Sequence, residues 1–273
     1  MDAAVHRTPK TKGREPVSSA TKVGADFATV QPETRAQRRS RTVSAAEGYE
    51  CWAPIYDQVP NPLLAREERH LLPLLTNLRE QSVLDVACGT GRWLEKVMEQ
   101  GCRSAVGIDC SAAMLRVAGS KHALRGRLVR ADCQDLPLPC AFDVAICSFA
   151  LGHIQDLGSI VRELARVTKP DADIFVSDLH PEAYARGWRV GFREGATAVE
   201  IEMQSRAVPE VVHTFCANLF SFQVQETLWL GEPERSLFAK AGKSHLFIEA
   251  CTLPAVLFCH FRRAGKYEER RAQ

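Results

Sequence analysis

The period of the apolar positions changes along this chain, and the changes mark out its elements. From residue 82 onward, short apolar runs alternate with stretches whose apolar residues recur at helical spacing. Ser82–Val86, Ser104–Ile108, Gly126–Ala131, Phe142–Phe149 and Asp173–Asp178 read as strands, being short and rich in branched residues. Helices are predicted from about Gly91 to Gln100, from Ser111 onward, and near Leu157–Val167. Strands joined through helices imply a parallel, doubly wound α/β sheet. Ahead of it, residues 44–58 with Tyr49, Trp52 and Tyr56 read as a helix interrupted near Pro54. Asn61-Pro62 opens a second, leucine-rich helix running to about Leu78.

After Asp178 the pattern differs. Trp188–Phe192 and Ala196–Ser205 flank Arg193-Glu194-Gly195, which predicts a β-hairpin. Pro209–Leu219 reads as helix, Phe220–Leu230 as strand, Pro233–Gly242 as a short helix and Pro254–Arg262 as a last strand. Residues 1–43 are polar, without periodicity, and are expected to be a disordered basic tail. The domain is then residues 44–273, with a helical cap at 44–80 and a lid insertion at 181–209.

Charge is uneven. The whole chain carries +2, residues 1–44 carry +5, and the rest therefore −3. A mildly acidic body argues against a nucleic-acid surface as its main feature. The ten cysteines include no C-x-x-C pair and suggest reduced thiols rather than a metal site. No run reaches the roughly 18 apolar residues of a membrane span. A cytoplasmic protein is expected.

The most specific chemistry lies in Val83-Leu-Asp-Val-Ala-Cys-Gly-Thr-Gly-Arg-Trp93. Gly89 and Gly91 allow a tight strand-to-helix turn that approaches a ligand closely. Asp85 ahead of them would repel a pyrophosphate and welcome an ammonium, as in S-adenosylmethionine. Asp109 ends the second strand, where a carboxylate can accept both hydroxyls of a ribose. Asp132 follows the third strand, where it can accept an adenine amino group while Cys133 N–H meets a ring nitrogen. The fourth strand ends in Ser148-Phe149-Ala150-Leu151-Gly152-His153, where ligands of such sheets bind.

These motifs resemble the class I S-adenosylmethionine-dependent methyltransferases. The small-molecule branch is the most similar, with the ubiquinone/menaquinone C-methyltransferases and the carboxyl methyltransferase of biotin synthesis. Leu84-Asp-Val-Ala-Cys-Gly-Thr-Gly, Gly107-Ile-Asp-Cys-Ser-Ala-Ala-Met-Leu, Ala131-Asp-Cys-Gln-Asp-Leu-Pro and Phe142-Asp-Val-Ala-Ile-Cys-Ser-Phe carry the likeness, which covers roughly residues 48–180. It implies a Rossmann-like, mostly parallel seven-stranded sheet with a final antiparallel strand, and a cofactor released as S-adenosylhomocysteine. Position by position, it implies that Asp85, Ala87, Cys88, Gly89 and Gly91 hold the methionine end. Asp109 lies at the ribose, Met114, Asp132 and Cys133 at the adenine, and Cys110 is a further cofactor-binding candidate. Ser148 lies near the sulfonium, and Tyr49 and Tyr56 close the site. Ala87 departs from the glycine frequent at its position.

The acceptor is less legible. His180, at the end of the fifth strand, is the first candidate for a general base; His153 is the second. Tyr184, Trp188 and His213 are candidate acceptor-binding residues of the lid. The Asn/Asp-Pro-Pro-Tyr/Phe motif of base-amino DNA methyltransferases and the paired-glutamate loop of protein arginine methyltransferases are absent. A small-molecule acceptor is therefore expected, methylated on O, N, C or S. Two other classes remain. One binds S-adenosylmethionine as a scaffold, or for cyclisation or rearrangement, since a fold does not fix a function. The other is a dinucleotide-dependent oxidoreductase, against which stand Asp85 and Leu94 in place of a third glycine.

Overall fold

The computed structural model describes residues 40–265. In chain order its elements are β1 (Ser40–Val43), α1 (Ala45–Trp52), α2 (Pro62–Leu71), β2 (Ser82–Val86), α3 (Arg92–Glu99), β3 (Ser104–Asp109), α4 (Ala112–Ser120) and β4 (Leu128–Arg130). They continue with β5 (Phe142–Ser148), α5 (Leu157–Val167), β6 (Thr168–Leu179), α6 (Pro181–Ala185), β7 (Gly191–Glu194), β8 (Thr197–Ile201) and α7 (Val208–Cys216). Last come β9 (Phe220–Trp229), α8 (Arg235–Lys240), α9 (Phe247–Ala250) and β10 (Pro254–Arg263). Short 3-10 turns extend α1 to Gln58 and follow α2.

Seven strands form one sheet in the order β4-β3-β2-β5-β6-β10-β9. The pairs among β2 to β6 are parallel, and β10 runs antiparallel to both its neighbours. Alternation of side chains along each strand supplies two cores. Val83, Val144, Ile146, Phe175 and Phe258 point to the face covered by α2 and α3, with Leu63, Leu71, Trp93 and Leu94. Leu84, Ala145, Cys147, Ile174 and Leu257 point to the other, against Ile160, Leu164, Val211 and Phe215 of α5 and α7. Both faces of the central strands are covered, so β2 and β5 are mostly apolar, whereas the edge strand β9 alternates with polar residues and is largely exposed.

Two sequence expectations are corrected. Residues 40–43 are not part of a tail: they form β1, which pairs in parallel with β8 from Ser40↔Ala198 to Val43↔Ile201. The rest of the expected tail, residues 1–39, lies outside the described residues. The predicted hairpin exists as β7–β8 but is shorter, and with β1 it makes a separate three-stranded sheet. This sheet packs on α1, where Phe192 stacks on Trp52 with ring centroids 5.4 Å apart. The first turn of α1 is capped by Ser44, whose hydroxyl accepts from Glu47 N–H at 3.3 Å. The three-stranded sheet thus packs against the aromatic cap helix.

Candidate active site

The carboxyl ends of β2, β3, β4 and β5 open onto a cavity of about 300 Å³, and α1 closes its other side. Ligands of open α/β sheets bind at this edge. The turn after β2 is held by Asp109: its Oδ2 accepts from Gly89 N–H and its Oδ1 from Ser111 N–H, both at 2.8 Å. Each oxygen keeps a second lone pair for a ligand donor. Ala87 has φ +56° and Phe149 φ +52°, so a non-glycine residue in the left-handed region closes both β2 and β5. Such conformations cost energy and mark turns the surrounding structure enforces.

Polar contacts tie the cap to this edge. Glu50 Oε1 accepts from Ser111 Oγ at 3.0 Å and from Ala113 N–H at 3.1 Å, satisfying the start of α4. Thr90 donates to Asp57 Oδ1 at 2.6 Å. Nδ1–H of His153 donates to the Glu202 carbonyl at 2.9 Å, which leaves Nε2 of the neutral ring to accept from the Tyr49 hydroxyl at 3.0 Å. Tyr49 is desolvated, and burial holds its phenol well above the usual range.

Under the cap lies a buried charge network. Arg92 donates through Nη2 to Glu67 Oε2 and, at 3.1 Å, to Ser148 Oγ. Glu67 is fully buried and also accepts from Ser177 Oγ and, at 3.3 Å, from Trp93 Nε1. Burial works against the Arg92 charge, but Glu67 outweighs it and the guanidinium is held more firmly protonated than usual. Asp85, beside it, is pushed up to about 8 by burial, with Arg92 acting in the opposite direction. Asp109 is also raised, again by burial, against the backbone N–H groups it accepts from.

The residues implied for the cofactor converge. Tyr49, Tyr56, Asp85, Ala87, Cys88, Gly89, Asp109, Cys110, Met114, Asp132, Cys133 and Ser148 all line the cavity, as does His153. Gly91 does not; it stands behind the turn with φ +82°, and a Cβ there would lie 2.3 Å from Leu124 Cδ1. Four acceptor-side candidates lie apart from the cavity lining. His180 is buried outside the cavity, where Nδ1 caps α6 by accepting from Glu182 N–H at 3.2 Å and Nε2 faces Thr227 Oγ1 at 3.4 Å. Trp188 is in the core under α2. Tyr184 turns its hydroxyl to the Met203 carbonyl at 3.4 Å. His213 is exposed on α7, away from the cavity.

Arg92 and Glu67 were not singled out from the sequence. Their signal was there for Glu67: it lies four residues from Leu63 and from Leu71, on the apolar stripe of α2, where a carboxylate needs a buried partner.

Does S-adenosylmethionine fit? Two buried polar atoms among the cavity-lining residues lack a hydrogen-bond partner, Asp85 Oδ2 and Arg92 Nη1. Glu68 lies 3.8 Å from the latter, beyond hydrogen-bond distance. An acceptor and a cationic donor side by side match the ammonium and carboxylate of an amino acid. Asp109 and Asp132 stand along the same wall for the adenosine. Among the described residues, no group of three His, Cys, Asp or Glu is arranged to hold a metal ion, and no helix is long and apolar enough to cross a membrane.

Residues 83–171 match the family described as "Methyltransferase domain". A ubiquinone biosynthesis O-methyltransferase of Albidiferax ferrireducens is 34% identical over 127 residues, which cover 44% of this chain and 48% of that one. The chain thus spans about half the length of the curated relatives it matches. In structure it is similar to an S-adenosylmethionine dependent methyltransferase of Mesorhizobium loti, with TM-score 0.56 and 22% identity over 72% of this chain and 97% of that one. A geranyl diphosphate methyltransferase in complex with GPP and sinefungin matches with TM-score 0.56 and 15% identity, over 73% and 77% of the two chains. Sheet order and these likenesses agree: the chain has the fold of the class I S-adenosylmethionine-dependent methyltransferases, and part of it is similar in sequence to ubiquinone O-methyltransferases.

Proposed function

We propose that this chain transfers a methyl group from S-adenosylmethionine to a small-molecule acceptor. The observation that carries the reading is the pair of unpartnered buried atoms, Asp85 Oδ2 and Arg92 Nη1, on a cavity that also presents Asp109 and Asp132. When bound, S-adenosylmethionine supplies an electrophilic methyl carbon on a sulfonium. Asp85 and Arg92 hold its amino-acid end, Asp109 its ribose, and Met114, Asp132 and Cys133 its adenine. Tyr49 and Tyr56 close over it and exclude water.

Alignment of the acceptor's nucleophilic atom supplies much of the rate in such displacements. For an acceptor that must lose a proton, the base is His153. Its Nδ1–H is fixed on the Glu202 carbonyl, so Nε2 is the nitrogen free to take a proton, relayed through the Tyr49 hydroxyl. His180 is not suited to this role, since its Nδ1 caps a helix outside the cavity.

The test is transfer of tritium from methyl-labelled S-adenosylmethionine into a panel of phenols, carboxylic acids and amines. Label is expected in at least one class with the parent protein and in none with D109A. A protein that binds S-adenosylhomocysteine yet labels no member of the panel contradicts the reading.

A further inference from the structure

A second, smaller cleft adjoins the main cavity and shares Tyr49, Tyr56, Leu64 and Phe149 with it. Its far wall comes from α1, the start of α2, and the residues leading into β7. Most of the lining is apolar or aromatic. Three hydrogen-bond donors interrupt it. Trp52 Nε1 is buried and has no hydrogen-bond partner, although the whole side chain is only 5% exposed. Asn61 turns Oδ1 inward to cap α2, accepting from Leu63 N–H at 2.9 Å and Leu64 N–H at 3.4 Å, which commits its acceptor and leaves the amide N–H donors over.

Arg189 is the third. Its Nη1 donates to the carbonyls of Tyr184 at 2.8 Å and Trp188 at 2.7 Å, and its guanidinium lies 4.0 Å from the Tyr184 ring centroid. These contacts fix the plane of the fork while using one of its three nitrogens. Among the described residues the contacts of Arg189 are with backbone carbonyls and an aromatic ring rather than with a carboxylate, although it is half-buried. A rigid guanidinium with free donors is the side chain best shaped for a carboxylate. A buried indole N–H without a partner calls for an oxygen in the same place.

We propose that this cleft is the acceptor's anchoring end, and that the acceptor is a carboxylate on a planar, largely apolar body. The body lies against Tyr49, Tyr56, Leu64 and Phe149, toward the methyl donor. The carboxylate reaches Arg189, with Trp52 Nε1 and Asn61 completing its shell. This deepens the methyl-transfer reading and rests on it for the direction in which the acceptor points.

The test uses the full chain and three matched probe pairs: benzoate, cinnamate and 2-naphthoate, each with its primary alcohol. Binding is followed by calorimetry, with and without S-adenosylhomocysteine, in the parent and in R189M and R189K. At least one carboxylate is expected to bind about tenfold or more tightly than its alcohol, the difference a charge-assisted hydrogen bond makes. R189M should erase that preference and R189K retain part of it, with S-adenosylhomocysteine affinity unchanged in both. Equal affinities within every pair, no saturable binding of any carboxylate, or a preference that survives in R189M would overturn the proposal. Loss of S-adenosylhomocysteine binding in the parent would instead contradict the methyl-transfer reading, and the probe pairs still report on the cleft.

Discussion

Glu67, fully buried on a cap helix, and Arg92, which lines the cavity at the start of the helix after the glycine turn, form an ion pair at the cavity wall. The pair joins two parts of the chain that sequence separates, and Ser177 and Trp93 satisfy further lone pairs of the carboxylate. Taking charges out of water is costly, and such a pair holds only when both members are present. Glu67→Gln should therefore destabilise the protein, by up to about 3–5 kcal/mol in urea unfolding, because Arg92 loses its hydrogen-bonded counter-charge and keeps only Glu68, 3.8 Å away. A change below about 1 kcal/mol would show that Arg92 can relax into solvent.

Asp85 makes the protein and its ligand respond to pH. The carboxyl is held up at about 8 by burial, against an ordinary value near 3.8. Between those values the folded form keeps a proton that the unfolded chain has lost, so stability falls as pH rises through this window. Asp85→Asn should remove the dependence: the parent's melting temperature drops relative to the variant's between pH 5 and about 8, and the gap levels off above that. A cationic ligand favours the ionised carboxyl. Binding of S-adenosylhomocysteine near pH 6.5 should thus release a proton, read as a buffer-dependent calorimetric enthalpy, and Asp85→Asn should abolish the release. Parallel melting curves in the two proteins would place Asp85 in an unperturbed environment.

At Ala87 the chain bears a cost that glycine would not. With φ +56° its Cβ crowds the carbonyl oxygen, a penalty of roughly 1–2 kcal/mol for a residue other than glycine. Ala87→Gly should raise stability by about 0.5–1 kcal/mol, once the greater freedom of glycine in the unfolded chain is set against the relief. Destabilisation on unfolding in urea would mean that the Ala87 methyl contributes more through packing than it costs in backbone strain.

His153 and Tyr49 should separate binding from turnover. His153→Asn keeps a side chain able to reach the Glu202 carbonyl but removes the base, and should slow turnover by about 10²–10⁴ with S-adenosylhomocysteine affinity within a few-fold. Tyr49→Phe should slow turnover to a similar degree, because it removes the hydroxyl that relays the proton to His153, while leaving the ring packed between Trp52 and His153. Equal rates in parent and His153→Asn would rule out this histidine as the base, and an acceptor that binds already ionised would then explain the chemistry.

Legibility followed locality. Ser82–Val86 and Leu157–Val167 appear at the expected residues because burial on both faces, or an apolar stripe, is written in adjacent positions. The strand-end carboxylates were legible because each ends its own strand, and the topology then brings them to one edge. Ser40–Val43 was not legible as a strand: its sequence Ser-Arg-Thr-Val is polar, and only pairing with β8, far along the chain, makes it one. His180 was misplaced for a related reason. It directly follows β6, but its ring turns to cap α6, a choice between two nearby uses that one-dimensional pattern cannot decide. The buried Glu67–Arg92 pair and the unpartnered Trp52 N–H depend on contacts between distant segments in the same way.

The central claim is that the cavity at the strand ends takes an adenosyl amino acid, and calorimetric titration of the full chain with S-adenosylhomocysteine, with NAD⁺ as control and D109A alongside, tests it most directly. The account predicts saturable binding of S-adenosylhomocysteine alone, and a loss of about 1.5–3 kcal/mol for each ribose hydrogen bond removed in D109A. Binding of NAD⁺ in its place, or undiminished binding by a folded D109A, would contradict it.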